Sequence, residues 1–150
     1  LPRAVLMAGY KDTSSSDAVY MLDWYAYGIG KVPAKVATTY QNISDAWSLL
    51  IDQKWHDRIT AIKANDGGLS YVEFFEYRKD KMSIPLFNIY CATGSNREYY
   101  AERTDLIQLG QTTQAIYFAK LTNEGEQSEL ALTGDEIKAR FSLVNQAWNN

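Results

Sequence analysis

Tyrosine and tryptophan side chains supply most of the binding chemistry that this sequence offers. They recur in groups, and the members are Trp24, Tyr25, Tyr27, Tyr71, Tyr77, Tyr99 and Tyr100. Because successive side chains of a strand alternate between faces, no group can be wholly buried on one face, and we expect some rings at the surface. A contiguous exposed aromatic patch marks a partner-binding or sugar-binding surface. The alternative is that these residues lie at the edge of the core with their hydroxyls in water.

His56 and the carboxyl groups are the candidates for acid–base chemistry. His56, the only histidine, precedes Asp57, but neighbouring residues of an extended turn point apart. The sequence holds no Gly-x-Ser-x-Gly or His-Glu-x-x-His motif that would supply a partner. Glu73 and Glu76 fall on opposite faces of one strand, so a hydrolase would need a second carboxyl from elsewhere, about 5 to 10 Å away. We therefore predict no catalytic residue and interpret His56 as a surface turn residue.

Arg97 is the remaining candidate for ligand binding. It ends the turn Gly94-Ser-Asn-Arg97, whose backbone amides and guanidinium can hold a carboxylate or phosphate. A polar turn that ends in arginine is also common as a purely structural feature. We include Arg97 with the aromatic residues in the predicted binding set.

Apolar segments separated by turn signals must position these residues. Strands are predicted at residues 18–27, 34–40, 46–51, 59–64, 69–77, 86–92, 106–110 and 115–121, with a further short strand within residues 1–9. The strongest hairpin signal is Asn65-Asp-Gly-Gly68, because glycine tolerates the positive φ of tight turns. Residues 97–103 have the composition of about two helical turns.

One clear helix is predicted to begin at Thr133. Thr133 and Glu136 have the spacing of a reciprocal capping box. The apolar residues that follow recur at spacings of four, three and four and share one helical face: Ile137, Phe141, Val144 and Trp148. We expect this helix to lie across the sheet.

The predicted fold class is therefore α+β. We expect one domain over residues 1–150, with a mostly antiparallel sheet of about five to seven strands and the C-terminal helix packed on one face. The alternative is a β-sandwich. A chain of 150 residues is close to the modal domain size and can bury roughly 70% of its unfolded surface.

Composition and charge exclude several function classes. Apolar residues make up 46% and charged residues 22%, which are ordinary globular values. The net charge of −3 and the isoelectric point near 5.1 argue against a nucleic-acid partner. No stretch approaches the ~20 apolar residues that span a bilayer.

The single cysteine, Cys91, allows neither an internal disulfide nor a multi-cysteine metal site, and we predict no metal and no cofactor.

The order of aromatic and turn residues over residues 46–148 resembles a known family. It consists of Ala46-Trp-Ser-Leu49, Trp55, Ile59-Thr60, Leu86-Phe-Asn-Ile-Tyr90, Thr93-Gly-Ser-Asn-Arg97, Leu109-Gly110 and Ile116-Tyr-Phe-Ala119. This order is similar to a domain of unknown function in secreted or lipid-anchored proteins of anaerobic Gram-positive bacteria, where it often follows calcium-loop-like repeats. More loosely, it resembles the Mog1/PsbP-like α+β domains. The resemblance implies an extracytoplasmic location and supplies no catalytic residue.

The start of the chain agrees with that expectation. The sequence begins at Leu1 with neither a basic nor an apolar targeting segment, so we expect a fragment of a longer secreted or lipid-anchored protein, or a processed chain. Residues 12–17 lack the alternating acids and the glycine of a calcium loop, so we expect no bound calcium.

Two classes of function follow. The first is a non-catalytic extracytoplasmic module that binds a protein or glycan of the cell envelope through tyrosine and tryptophan. The second is a hydrolase of an envelope polymer, with clustered carboxylates and Arg97, which would require a deep cleft with at least two acids of shifted pKa. A purely structural spacer is the third possibility.

Overall fold

The structure is a computed structural model that describes residues 2–6, 20–79 and 81–144, with the backbone alone for residues 2–6 and 20. Within these ranges the strands are β1 (Pro2–Leu6), β2 (Tyr20–Ala26), β3 (Ala34–Asn42), β4 (Trp47–Leu50), β5 (Ile59–Asp66), β6 (Leu69–Glu76), β7 (Ile84–Thr93), β8 (Ile107–Gln111), β9 (Ala115–Leu121) and β10 (Phe141–Leu143). The helices are α1 (Arg97–Ala101), α2 (Asn123–Glu126) and α3 (Gly134–Arg140), with a 3-10 turn at Gln53–Trp55. Residues 12–17, at which no bound calcium was expected, lie outside the described residues.

The strands pair antiparallel in two five-stranded sheets. The first sheet has the spatial order β1-β2-β3-β4-β10, and the second has the order β5-β6-β7-β9-β8. The prediction of a mostly antiparallel, sheet-rich fold is confirmed. The described strands, however, form two sheets rather than the single sheet that we expected. The chain passes from the first sheet to the second after β4, through the polar segment that contains the 3-10 turn.

Three hairpins are present, among them the one predicted at Asn65-Asp-Gly-Gly68. Strands β2 and β3, β5 and β6, and β8 and β9 are antiparallel neighbours. In the turn between β5 and β6, Gly67 has a φ of +61°, which glycine adopts without steric cost. Helix α1 lies within residues 97–103, where about two helical turns were predicted.

The two sheets share one hydrophobic core. Tyr40 and Trp47 of the first sheet both contact Phe74 of the second, with ring centroids 5.4 Å and 6.5 Å apart. All three side chains are almost completely buried. Two sheets that face each other across a common core are the arrangement of a β-sandwich, the alternative to the predicted α+β fold. The described helices are short.

Helix α3 begins as predicted and ends earlier than predicted. Thr133 and Glu136 form the reciprocal capping box, and Ile137 is buried. The helix ends at Arg140, because Phe141 adopts extended backbone and begins β10, where it pairs with β4 and its ring stacks on Trp47 at 5.8 Å. The expected helical face through Phe141 and Val144 is therefore wrong, and Trp148 lies outside the described residues. Among the helices described, none has the length and apolar character to cross a membrane.

Candidate functional site

A row of aromatic rings crosses the outward face of the second sheet. Tyr71 of β6, Tyr90 of β7 and Phe118 of β9 occupy matched positions on neighbouring strands. The ring centroids of Tyr71 and Tyr90 are 5.2 Å apart, and those of Tyr90 and Phe118 are 4.9 Å apart. Their sequence neighbours Val72 and Ile89 point into the core, because side chains alternate along a strand. The pairing thus gathers on one surface rings that are distant in the sequence.

Helix α1 extends this row past Phe118. Tyr100 stacks on Phe118 with centroids 5.1 Å apart and planes 16° apart, and Tyr99 meets Tyr100 edge to face at 5.4 Å. The guanidinium carbon of Arg103 lies 5.8 Å from the centroid of Tyr99, within cation–π range. The name aromatic row is used here for Tyr71, Tyr90, Phe118, Tyr100 and Tyr99.

Arg97, the predicted anion-binding residue, fastens helix α1 to the neighbouring loops. Its guanidinium donates hydrogen bonds to the backbone carbonyls of Gly94 at 2.7 Å and Thr113 at 3.2 Å. Its Nε lies 3.9 Å from the carboxylate of Glu98. These two hydrogen bonds give Arg97 a structural role that takes two of its guanidinium donors, so we leave Arg97 out of the candidate site.

The ends of the aromatic row are more accessible than its middle. Phe118 is only 2% exposed, since Tyr90 and Tyr100 cover it from both sides. Tyr71 and Tyr90 are half-buried, and Tyr99 is exposed. A ligand that lies on this surface would therefore touch Tyr71, Tyr90 and Tyr99 rather than Phe118.

A polar row lies beside the aromatic row, two residues along each strand. Glu73, Asn88 and Lys120 are matched across β6, β7 and β9. The side-chain amide of Asn88 donates a hydrogen bond to the hydroxyl of Tyr90 at 3.0 Å. Aromatic rings bordered by carboxylate, amide and ammonium groups suit a ligand that has both apolar faces and hydroxyl groups.

A pocket of about 360 Å³ opens at the Tyr71 end of the aromatic row. It lies between the β3–β4 loop and the β5–β6 hairpin, and it is lined by Asn42, Ser44, Asp45, Lys63, Ala64, Asn65, Ser70 and Tyr71. The partner of Tyr71 on β5 is Ala64, whose methyl group is too small to cover a tyrosine ring. Because side chains alternate along a strand, Lys63, Asn65 and Ser70 lie on the inward face and Tyr71 on the outward face, so polar side chains form most of the walls of this cavity. We name this cavity the Tyr71 pocket.

Hydrogen bonds hold Asp45 in the Tyr71 pocket. Its Oδ2 accepts from Nδ2 of Asn42 at 3.2 Å and from the hydroxyl of Ser70 at 2.7 Å. Its backbone amide donates to Oδ1 of Asn42 at 3.1 Å, and its carbonyl accepts from the hydroxyl of Tyr117 at 2.7 Å. No residue in the described part of the chain donates to Oδ1 of Asp45. One oxygen of a fixed carboxylate is thus available to a ligand hydroxyl.

The residue after Asp45 adopts a left-handed backbone conformation. Ala46 has a φ of 61°, which is uncommon for residues other than glycine, asparagine and aspartate. Its amide donates to the carbonyl of Ile43 at 3.3 Å and closes the turn. This conformation costs about 1–2 kcal/mol for an L-residue, and such strain clusters at binding sites. The hydrogen bonds of Asp45 offset that cost.

A second pocket, also of about 360 Å³, includes Tyr100 from the far part of the aromatic row. Its lining residues are Asp66, Gly68, Leu69, Thr93, Gly94, Ser95, Asn96 and Tyr100. From Tyr71 to Tyr100 the aromatic row advances in ring-to-ring steps of 5.2, 4.9 and 5.1 Å. The aromatic row therefore leads to this polar pocket, and one extended ligand can reach both Tyr71 and the pocket.

A larger cavity, of about 770 Å³, lies beside the β2–β3 hairpin, but its charged groups are already paired. Arg140 lies 2.6 Å from Asp52, and Lys35 lies 3.0 Å from Asp23. Burial acts to raise the pKa of Asp23, but hydrogen bonds from Thr38 and Lys35 outweigh it and hold the pKa below its ordinary value. A general acid needs the opposite shift, so these groups do not favour hydrolytic chemistry.

His56 and Asp57 meet, although they were expected to point apart. Nε2 of His56 lies 3.3 Å from Oδ2 of Asp57. The φ of Asp57 is 57°, a left-handed conformation that the predicted extended turn did not include. Both side chains are largely exposed, and they form a surface contact rather than a buried catalytic pair.

Glu73 and Glu76 lie on opposite faces of β6, as predicted. Glu76 is buried and accepts a hydrogen bond from the hydroxyl of Ser128 at 2.8 Å. Guanidinium nitrogens of Arg58 and Arg78 lie 3.7 Å and 3.8 Å from its carboxylate. Two guanidinium groups and a hydroxyl compensate the charge of the buried Glu76 carboxylate, so we interpret these residues as a structural ion-pair cluster.

The other predicted aromatic residues lie away from the aromatic row. In the first sheet, Trp24 is half-buried and its indole donates to the hydroxyl of Thr39 at 2.9 Å, and Tyr25 is also half-buried. Tyr27 is exposed beyond the end of β2, and Tyr77 is half-buried after the end of β6. From the predicted set, the structure brings onto one surface Tyr71, Tyr99 and Tyr100.

Sequence reasoning missed four residues of the candidate site. Tyr90 and Phe118 looked like ordinary strand positions, and only the strand register places them beside Tyr71. No function was predicted for Asn42 and Asp45, which stand at the two ends of a short loop. The signal that could have found them is the pair of hydrogen-bonding side chains at both ends of a short loop.

Cys91 and metal-binding groups add no chemistry to the site. Burial, with the nearby charge of Asp45, raises the pKa of the Cys91 thiol to about 11, so the thiol stays protonated at neutral pH. Over residues 2–6, 20–79 and 81–144, no three His, Cys, Asp or Glu side chains are grouped so as to hold a metal ion.

No protein-family model, curated protein or solved structure matches this chain. The assignment therefore depends on the geometry of the aromatic row and of the Tyr71 pocket.

Proposed function

We propose that this protein is a non-catalytic module that binds a glycan of the cell envelope. The observation that carries the proposal is the aromatic row, in which Tyr71 and Tyr90 present ring surface on the outward face of the second sheet beside the polar side chains of Glu73, Asn88 and Lys120. The Tyr71 pocket lies at one end of this row. No other described surface joins ring area and fixed polar groups in this way.

The outward face of the second sheet matches the two kinds of surface that a sugar presents. The C–H face of a pyranose ring packs on Tyr71, which removes apolar area from water. Hydroxyl groups of the sugar donate to the carboxylate of Glu73 and accept from the side chains of Asn88 and Lys120. Because Asn88 is already held by its hydrogen bond to Tyr90, little conformational freedom is lost on binding.

An oligosaccharide fits the surface better than a single sugar. The aromatic row leads from the Tyr71 pocket across Tyr90 to the pocket that includes Tyr100. The side chains of Glu73, Asn88 and Lys120 follow the same direction and offer hydrogen bonds along the path. We therefore propose a linear glycan as the ligand class, with one sugar seated on Tyr71.

The proposal includes a position outside the cytoplasm, within a longer secreted or lipid-anchored protein. Its support is the resemblance carried by residues 46–148 and the agreement between that location and a glycan-binding surface. Within the cell envelope, peptidoglycan is the linear glycan to test first.

The test is binding of soluble peptidoglycan fragments, followed by calorimetry and by thermal shift. A ligand at a hundred times its dissociation constant stabilises the wild type by about 2.7 kcal/mol. Tyr71→Ala should weaken binding at least about tenfold, as for other aromatic anchors. Tyr27→Ala removes an exposed tyrosine distant from the pocket and should bind as the wild type does. Absence of any shift with a panel of glycans, or equal binding by Tyr71→Ala, would sink the proposal.

The hydrolase alternative has less support from the geometry. Over residues 20–79 and 81–144, the carboxyl groups whose pKa is shifted are all shifted downward, and they are Asp23, Asp105, Glu129 and Glu136. Each is held by a cationic or hydrogen-bonding neighbour, whereas a general acid needs a raised pKa. Release of reducing ends from the bound glycan would restore this alternative.

A further inference from the structure

The tip of the β2–β3 hairpin exposes large apolar side chains. Ile29 is 106% exposed, Val32 is 88% exposed, and Tyr27 and Val36 are also exposed. Every residue of the segment 26–36 is exposed to solvent. Exposed apolar residues are normal when scattered singly, but a cluster on one turn marks an interaction site. We call residues 27–36 the hairpin tip.

The backbone of the hairpin tip holds Ile29 outermost. The amide of Lys31 donates to the carbonyl of Gly28 at 3.1 Å, which closes a four-residue turn with Ile29 at its second position. Gly30, the third residue, has a φ of +71°, a value that a side chain would make costly. Pro33 then fixes the backbone just after Val32. The apolar side chains are thus presented by a defined turn.

The charge of this segment is opposite to that of the whole protein. Residues 24–44 contain Lys31 and Lys35 and no aspartate or glutamate, although the net charge of the chain is −3. Lys35 is paired with Asp23 at 3.0 Å. No acidic partner for Lys31 lies within the described ranges, so its ammonium group can meet an external anion.

We propose that the hairpin tip inserts into the headgroup region of an anionic phospholipid bilayer. Ile29 and Val32 enter the boundary with the acyl chains, while Lys31 stays among the phosphates, the usual position of lysine at an interface. Tyr27 lies at the headgroup level, where tyrosine is enriched. Because residues 24–44 carry no acidic side chain, this end of an otherwise acidic protein turns towards the anionic membrane.

The shape of the hairpin tip favours a bilayer over a protein partner. A stable protein–protein interface buries about 800 Å² on each partner, usually over a broad complementary surface. A single convex turn offers much less area, whereas a bilayer deforms around any convex shape. The hairpin tip belongs to the first sheet and the aromatic row to the second, so each proposal can fail without the other.

The experiment is co-sedimentation with vesicles of phosphatidylcholine and phosphatidylglycerol at low ionic strength. Ile29→Ser combined with Val32→Ser should weaken binding about tenfold or more, since the variant lacks the two apolar side chains whose transfer from water into the bilayer favours binding. Lys31→Glu should weaken it at least about fivefold, and added salt should weaken the wild type. Met82→Ser, which changes an exposed apolar residue elsewhere, is the matched control and should bind as the wild type does.

A second measurement locates the inserted residue. An environment-sensitive dye on Ile29→Cys should shift to the blue on these vesicles, while the same dye on Met82→Cys should not. Cys91 is buried and its raised pKa keeps it unreactive, so the introduced thiols label selectively. The proposal is overturned if the wild type leaves the vesicles unbound, if the serine variants bind equally well, or if both dyes shift alike.

Discussion

Replacing Tyr117 with phenylalanine tests whether the two sheets together shape the Tyr71 pocket. Tyr117 belongs to β9 of the second sheet, and its hydroxyl donates to the Asp45 carbonyl in the β3–β4 loop of the first. The substitution keeps the ring, including its contact with Phe141 at 5.7 Å. Burial, together with the neighbouring Cys91 thiol, raises the pKa of Tyr117, so the hydroxyl is a donor at any ordinary pH. The change therefore removes the hydrogen bond to the Asp45 carbonyl and the weaker one to the Cys91 thiol, and it keeps the ring.

The expected loss of stability is about 1 kcal/mol. A neutral hydrogen bond contributes about 0.5–1.5 kcal/mol net, and the buried position of Tyr117 favours the upper part of that range. Asp45 is half-buried, however, so water can reach its freed carbonyl and limit the loss. In a chain of this length, about 1 kcal/mol lowers the melting temperature by about 2–4 °C. If the whole loss appears in glycan binding, affinity falls about fivefold.

Urea unfolding followed by tryptophan fluorescence measures this difference. Tyr117→Phe should lower the midpoint with an unchanged m-value. Tyr27→Phe removes an exposed hydroxyl and should stay within about 0.5 kcal/mol of the wild type. Combining Tyr117→Phe with Ser70→Ala should give a coupling energy of at least about 0.5 kcal/mol, because both hydroxyls hold Asp45. A Tyr117→Phe protein as stable as Tyr27→Phe would refute this reasoning.

Two further substitutions test other features of the structure. The Cys91 thiol has its pKa raised from 9.0 to about 11, so its contribution to stability is complete below pH 9 and is lost between pH 9 and 11. The wild type should lose about 2–3 kcal/mol more than Cys91→Ala over that interval in urea titrations, and parallel pH profiles would contradict this. Ala46→Gly should raise the free energy of unfolding by up to about 1 kcal/mol, because glycine accepts the φ of 61°. Lower stability of that variant would show that Ala46 is unstrained.

Local signals in the sequence predicted the local parts of this fold. Asn65-Asp-Gly-Gly68 predicted the β5–β6 hairpin because the turn needs a positive φ at Gly67. The spacing of Thr133 and Glu136 predicted the start of α3, because both capping hydrogen bonds form within one turn. Tyr71 was predicted as a surface aromatic because alternation leaves one side of β6 facing outward.

Long-range pairing produced what the sequence did not predict. Phe141 fits the periodicity of a helix, but pairing with Leu49 and stacking on Trp47 place it in a strand. Tyr90 enters the aromatic row only through the register between β6 and β7. Residue spacing along one segment carries no information about such partners, and tertiary contacts override local preference.

The position of β10 in the first sheet has a consequence for how the protein is made. Strand β10 pairs Leu143 with Trp47 of β4, so the first sheet gains this edge strand only after residues 141–143 have left the ribosome. The second sheet consists of residues 59–121 and is complete in the nascent chain well before that moment. Contacts between distant segments form slowly because a long loop must close first. Until β10 arrives, Trp47 lacks the cover of Phe141, and the unfinished first sheet is the surface through which nascent chains would aggregate.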